Sequence, residues 1–368
     1  MSRLSVGTVS LALTAVLAWP VPAIAQSQEG TVIVDGGGWG HSVGMAQYGA
    51  YGQALEGKDY KTILAHYYQG TWVETIADPG PITVGLLQGL TSAPFVVGSG
   101  SVTVHRGTEH SPAVTGGQTV FVNISGGQCT VSGPGFSWGA GSCDVQITGL
   151  NGPTTTVWFG AYQYGRGTLK TVVPVGQSLL AVNVEVPTVE QYAYGVKEMP
   201  YGWPAEALKA QAVAARSYAI YKMAFVRPEC GCHVHDDTRD QVYVGWGLGE
   251  DPWLEAVDAT AWQVVTHSTR KPVPTFYHSS TFGHTEDAAV GFGGITSPYL
   301  VGVPDPWSVK PEVNNPFARW RAELTAADAA AKLGMSSVTG ASITQWSTSG
   351  AAKEVEFSGS PASTRFPT

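Results

Sequence analysis

The chain has 368 residues and a formal charge of −8, from 20 Lys plus Arg against 28 Asp plus Glu. With few cations and no basic cluster, it lacks the electrostatic footprint of a nucleic-acid binder. Only 13% of its residues are charged while Trp and Tyr number 12 and 15, which describes a loop-rich globular protein whose aromatic surfaces suit carbohydrate.

Arg3 is followed by the apolar run "LSVGTVSLALTAVLAWPVPAIA", ending in Ala23-Ile24-Ala25. A basic start, a short apolar stretch and an A-x-A site define a secretory signal peptide cleaved after Ala25. Pro20 and Pro22 interrupt the run and no stop-transfer pattern follows, so a retained anchor is the weaker reading. No later stretch is apolar for long enough to span a bilayer. The expected location is secreted, extracellular or associated with the cell wall. Export makes disulfides the expected state of the four cysteines. Of the three pairings, the favoured one joins Cys129 to Cys143 across a Gly/Ser-rich loop. That leaves Cys230 and Cys232, awkwardly close for a bridge to each other.

The segment "TVIVDGGGWGHSVGMAQYGAYGQALEGKDYKTILAHYYQGT" reads as a strand, a glycine-rich loop and two helical pieces. Asp59 is placed to cap the second piece, Tyr60, Ile63, Leu64 and Tyr67 share one face, and Gly70 ends it. From about residue 80 to 190, short alternating runs such as "SVTVHR", "TVFVNI" and "LLAVNVEV" are separated by Gly, Pro and Asn, the pattern of a β-rich region. The clearest helix follows, with Pro204 in its first turn and Leu208, Ala212, Ala215, Ala219 and Met223 as an apolar stripe. Lys209 and Arg216 are seven apart and share another face. Beyond it lie "CGCHVHDDTRDQVYVGW", a helix at "EAVDATAWQVV", and a hairpin from "QVVTHS" to "PVPTFYHSS". Last come a short helix at "AADAAAKLG", a strand at "AKEVEFSG" and a polar tail, "SPASTRFPT". The fold class is α+β. The divisions are 1–25 signal peptide, 26–78 loop-and-helix segment, 79–155 β-rich insert or small β domain, and 156–368 core domain.

One carboxylate asks for an explanation. Glu198, in "GVKEMPYGWPAEALKAQAVAARSYA", stands beside Met199 and Pro200 and close to Trp203. In one reading it is a carboxylate placed before a helix, where the dipole favours negative charge. In the other it is a general acid kept protonated by apolar neighbours. The two pull its pKa in opposite directions.

The words around Glu198 resemble those of the sporulation stage II protein D / LytB family of bacterial wall proteins. The resemblance rests on "VEVPTVEQYAYGVKEMPYGWPAEALKAQAVAARSYAI", "DTRDQVYVGW", "FYHSSTFGHTED", "SPYLVGVPDPWS" and "GWGHSVGMAQYGA" with "YKTILAHYYQGT". It implies lytic transglycosylase chemistry on peptidoglycan, with Glu198 as the catalytic residue. Glu198 would protonate the oxygen between MurNAc and GlcNAc, then take the proton of the sugar's own 6-hydroxyl as a 1,6-anhydro ring closes. One carboxyl group suffices for that, whereas hydrolysis usually employs two.

The resemblance also implies substrate contacts for Lys209, Gln211 and Arg216 on the helix, for His41 and Gln47 in the glycine-rich loop, and for His278 and Ser279 at a strand end. Against it stand a solvated helix face with an ion pair from Lys209 or Arg216 to Glu206 or another acid, a loop-holding role for Gln211, and a tight turn with His41 satisfied internally. Trp39 and Tyr48 are placed to stack on sugars. The glycine-histidine motif precedes the glutamate here, whereas the family order is the reverse, as in a circular permutation. Residues 33–75 must then pack beside residues 195–300. Ser42 and Ala46 stand where the motif usually has glycine and serine.

Cys230, Cys232, His233 and His235 offer donors suited to zinc, which the resemblance associates with some members, against a disulfide or a plain surface loop. No organic cofactor is implied. The expected partner is the peptidoglycan glycan strand. The alternative function is a non-catalytic glycan-binding enhancer of a wall amidase.

Overall fold

The computed structural model describes residues 26–28, 30–245, 251–360 and 364–367. The expected signal peptide lies outside the described residues. The fold is α+β, and the described chain divides into two compact units, Gly37–Arg319 and residues up to Gly36 joined with Trp320–Thr368.

Alternation of side chains builds the β-rich part of the larger unit. In Ser101–Arg106, for instance, Val102, Val104 and Arg106 point inward while Ser101, Thr103 and His105 do not. One sheet runs, in order, through Val234–His235, Ile82–Leu90, Leu180–Val186, Thr168–Val172, Val145–Thr148, Ser101–Arg106 and Glu109–His110, with Val114–Thr115 on Ser101–Arg106. A second sheet orders Phe136–Gly141, Gln128–Gly133, Thr119–Ser125, Ser92–Ser99, Thr156–Phe159 and Tyr162–Tyr164. Their apolar faces, including Val84, Val97, Val104, Val122 and Val184, enter one common core. Residues 79–155 therefore share their sheets with strands from 156–186 and 234–235. The Cys129–Cys143 disulfide forms as expected.

Four helices surround the glutamate turn: α1 (Gln47–Leu55), α2 (Tyr60–Tyr67), α3 (Val189–Tyr194) and α4 (Ala205–Lys222). Asp59 caps α2, accepting the Thr62 N–H at 2.7 Å. Ile63, Leu64 and Tyr67 are buried as the spacing predicts. The stripe foreseen on α4 understates its burial. From Ala207 to Ala219 every residue but Lys209 is buried, because alanines let α1, α2 and α3 approach closely from several sides. No helix among the described residues is long and apolar enough to cross a membrane.

The foreseen hairpin is only begun. Thr266 bridges Pro272, and the Val273 N–H reaches the Val265 carbonyl at 3.1 Å. Pro272 and Pro274 have no N–H to extend the ladder. Gln263–Thr266 pairs instead with Trp72–Thr75, and Tyr277–His278 pairs in parallel with Met45–Ala46. The glycine-histidine loop thus joins the glutamate region in space, as a permuted order requires. Gly44, at φ +73°, lets this contact form, because a Cβ there would lie 2.1 Å from the Phe276 carbonyl oxygen. Ser42 holds φ 60° without being glycine.

In the smaller unit, Thr31–Gly36 pairs with Gln26–Gln28 and Trp320–Thr325, and a second sheet is built from Ser337–Trp346, Ala352–Ser360 and Thr364–Pro367. The last of these strands replaces the expected polar tail. Val32, Ala329, Ala330, Met335 and Val338 form its core, the alanines coming from helix Ala326–Leu333.

The loop geometry makes a paired prediction. Gly44→Ala should cost at least about 2 kcal/mol, from left-handed strain plus the clash, whereas Ser42→Gly should lose no stability. Urea unfolding of both variants checks this.

Candidate active site

Glu198 sits in the turn between α3 and α4, and that turn is fastened to the segment 242–244. The Lys197 N–H donates to the Val242 carbonyl at 2.8 Å, and the Val244 N–H to the Gly195 carbonyl at 2.9 Å. Glu198 Oε1 accepts the Val242 N–H at 2.5 Å. The Tyr277 hydroxyl also hydrogen-bonds the carboxyl group. It belongs to a chain of polar groups. The Tyr192 hydroxyl donates to Gln241 Oε1 at 2.9 Å, and Gln241 Nε2 donates to the Tyr277 oxygen at 2.8 Å.

Burial pushes the Glu198 pKa above its ordinary value, and the bonds from Val242 and Tyr277 oppose this without cancelling it. This is the direction expected of the general-acid reading, opposite to that of a carboxylate favoured by a helix dipole. The residue remains partly open to solvent, so a ligand has a route to it.

The glycine-histidine loop supports the same turn. Gln47 Nε2 donates to the Glu198 carbonyl at 3.0 Å and approaches Gln211 Oε1 at 3.4 Å. Gln211 is fully buried, so it holds the loop instead of facing a ligand. His41 has one side open to solvent, yet its ring packs 5.0 Å from Phe292 and 5.6 Å from His278. That packing holds its pKa below the usual imidazole value, while the Tyr277 carbonyl accepts a hydrogen bond from the ring. His41 Nδ1 accepts the Val43 N–H at 3.1 Å. His278 is buried, with Nδ1 3.3 Å from the Val43 carbonyl, and burial lowers its pKa to about 3. It is neutral at physiological pH. Ser279 is half-buried, and its carbonyl accepts the Tyr48 N–H at 3.0 Å at the start of α1.

Two candidate cations lie in other roles. Arg216 is fully buried against Glu190, with Nε–Oε1 2.6 Å and Nη2–Oε2 2.8 Å, and Nη1 donates to the Gln263 carbonyl at 2.9 Å. This guanidinium is committed to the core. Its partner is Glu190 of α3, not Glu206. Lys209 pairs with Glu206 at 2.7 Å, and the other Glu206 oxygen accepts the Tyr60 N–H at 2.9 Å.

Cys230 and Cys232, though awkwardly close, are disulfide-bonded, the alternative to a metal site. Gly231 at φ 63° turns the chain between them and leaves the Cα atoms 5.2 Å apart, within the range a disulfide spans. Their sulfurs and a ring nitrogen of His235 lie within 4.8 Å of one another. Zinc needs thiolates, however, and disulfide sulfurs are not thiolates. His233 Nδ1 is occupied by the Thr83 N–H at 2.9 Å. In this oxidised form the four residues do not fit the metal.

Sequence reasoning missed Tyr277, Gln241 and Glu190. Tyr277 and Gln241 fall in "FYHSS" and "DTRDQVYVGW", segments that carry the resemblance without singling out either residue. Nothing local marks Glu190 as the partner of Arg216.

The site is thus a carboxyl group in a fastened turn, braced by a second segment that carries a glycine-histidine loop. The family profile described as Stage II sporulation protein matches residues 178–267. An uncharacterized protein of Brachyspira hyodysenteriae is 34% identical over 166 residues, covering 42% of this chain and 44% of its own. The Bacillus subtilis Stage II sporulation protein D is 32% identical over 169 residues, covering 42% and 48%. The Bacillus subtilis protein named Amidase enhancer is 37% identical over 108 residues, covering 29% and 14%. The matches thus span less than half of each relative. No solved structure matches the chain. Over residues 178–267 the chain is thus similar to Stage II sporulation proteins.

Arg216→Gln would leave Glu190 buried without its partner. It should therefore cost about 3 kcal/mol or more in denaturant unfolding. An unchanged stability would mean that Arg216 is not committed to the core.

Proposed function

We propose that this protein is an exported lytic transglycosylase that cleaves the MurNAc–GlcNAc bonds of peptidoglycan glycan strands. The observation that carries the reading is the partly open Glu198 carboxyl group, whose pKa burial raises. A carboxylic acid whose pKa is raised toward the working pH is better matched to protonating a glycosidic oxygen. As the C1–O bond breaks, that proton passes to the leaving GlcNAc oxygen. The resulting Glu198 carboxylate, stabilised by the Val242 N–H and the Tyr277 hydroxyl, then accepts the proton of the MurNAc 6-hydroxyl. That oxygen bonds to C1 and closes the 1,6-anhydro ring. Proton and atoms balance without an added water. Tyr277 and the Val242 N–H act by placing the carboxyl group and by stabilising the charge it gains.

The relative named Amidase enhancer favours a second reading: a wall protein that binds glycan and modulates an amidase without cleaving.

Mass spectrometry of peptidoglycan, intact and stripped of stem peptides, separates the two. The mature protein should generate anhydro-MurNAc ends and Glu198→Gln none, a loss of at least about 100-fold for removal of a general acid. Binding by both proteins without anhydro ends would support the enhancer. Reducing ends would mean hydrolysis and a second carboxyl group. Asp236, half-buried and raised to about 7 by burial and then by Asp237, would be the first to test.

A further inference from the structure

Five aromatic rings of the larger unit touch in series. Trp39 stacks on Phe317 with centroids 5.3 Å apart, and Phe317 meets Tyr48 edge-on at 6.2 Å. Tyr48 meets Trp203 at 4.9 Å, and Trp203 stacks on Tyr51 at 4.8 Å. Rings that serve only a core are covered, and these are not. Trp39 is 59% exposed, and the other four each keep part of their surface open. Stacking on Phe317 fixes the exposed indole, so little freedom remains to be lost when a ligand covers it.

The series is continuous with the glutamate site. Tyr48 follows Gln47, whose amide holds the Glu198 carbonyl. Trp203 lies five residues beyond Glu198 in the same turn. Trp39 bridges Ser280, two residues past His278. One end of the row thus adjoins the glutamate turn and the other the strand that carries Tyr277 and His278.

We infer that this row is a binding rail for a glycan strand, engaging sugars beyond the bond presented to Glu198. A pyranose offers a face of C–H groups that packs on an aromatic ring and a rim of hydroxyls. The Tyr48 and Tyr51 hydroxyls supply both donor and acceptor for such a rim. A row of rings matches a polymer better than a single sugar, since a strand can touch several rings at once. The inference rests on the proposed glycan reading and adds to it where the strand lies and why its length matters.

The test uses the full mature chain carrying Glu198→Gln, which prevents turnover, and two neutral probes, the dimer and hexamer of β-1,4-linked N-acetylglucosamine. Calorimetry should find the hexamer bound at least about tenfold more tightly than the dimer. Trp39→Ala should remove about tenfold of the hexamer affinity, equivalent to about 1.4 kcal/mol, and leave dimer binding unchanged. Trp39→Phe should restore most of the loss, and thermal melts of both variants should match that of their parent. Equal affinity for the two probes, or an unchanged hexamer affinity in Trp39→Ala, overturns the rail. The catalytic reading fails separately. Trp39-dependent hexamer binding without anhydro ends would leave the rail standing, and anhydro ends with Trp39-independent binding would leave the enzyme standing.

Discussion

The withdrawal of the Glu198 carboxyl group from water is the constraint on which the rest of the site depends. Burial disfavours the charged form of a carboxylic acid, and here it outweighs the two hydrogen bonds that favour that form. The balance is held by position. The Val242 N–H is fixed because the segment 242–244 is bonded to Gly195 and Lys197, just ahead of Glu198. The Tyr277 hydroxyl is fixed because Gln241 holds it and Tyr192 holds Gln241. A carboxyl group with freedom to swing into solvent would lose the environment that keeps its proton.

Chain order matters little to that construction, and contact matters a great deal. The glycine-histidine loop comes early in this sequence, yet Met45–Ala46 pairs with Tyr277–His278, and Gln47 reaches the backbone of Glu198. The same strand therefore carries the residue that touches the carboxyl group and the register that seats the loop. Gly44 makes the approach sterically open. Arg216 acts from behind. Its ion pair with Glu190 ties α4 to α3, the two helices that flank the turn. In this way a cation first considered for the cleft contributes to the shape of the cleft.

Local signals were readable and distant partners were not. The Asp59 cap, the buried face of α2, the β-rich middle and the Cys129–Cys143 bond all follow from spacing and turn chemistry that operate within a few residues. Glu198 stood out because an acid among apolar residues needs a reason. Its partners escaped notice because Val242 and Tyr277 lie 44 and 79 positions away and carry no local mark of being aimed at it. The Cys230–Cys232 bond was discounted because spacing alone does not reveal the left-handed turn at Gly231. The burial of α4 was understated for a related reason: periodicity reports one apolar face, whereas small residues allow packing on several.

The most direct measurement is an NMR titration of the Glu198 carboxyl carbon, assigned by its disappearance in Glu198→Gln. The account predicts a midpoint above the ordinary glutamate value of about 4.3, moved higher by Tyr277→Phe because the hydroxyl favours the charged form. A carboxyl group with a raised folded-state pKa also makes stability fall as pH rises from that ordinary value through the measured one. That slope should vanish in Glu198→Gln. A midpoint at or below the ordinary value would mean that Glu198 is a carboxylate at neutral pH, and the single-acid account would be wrong.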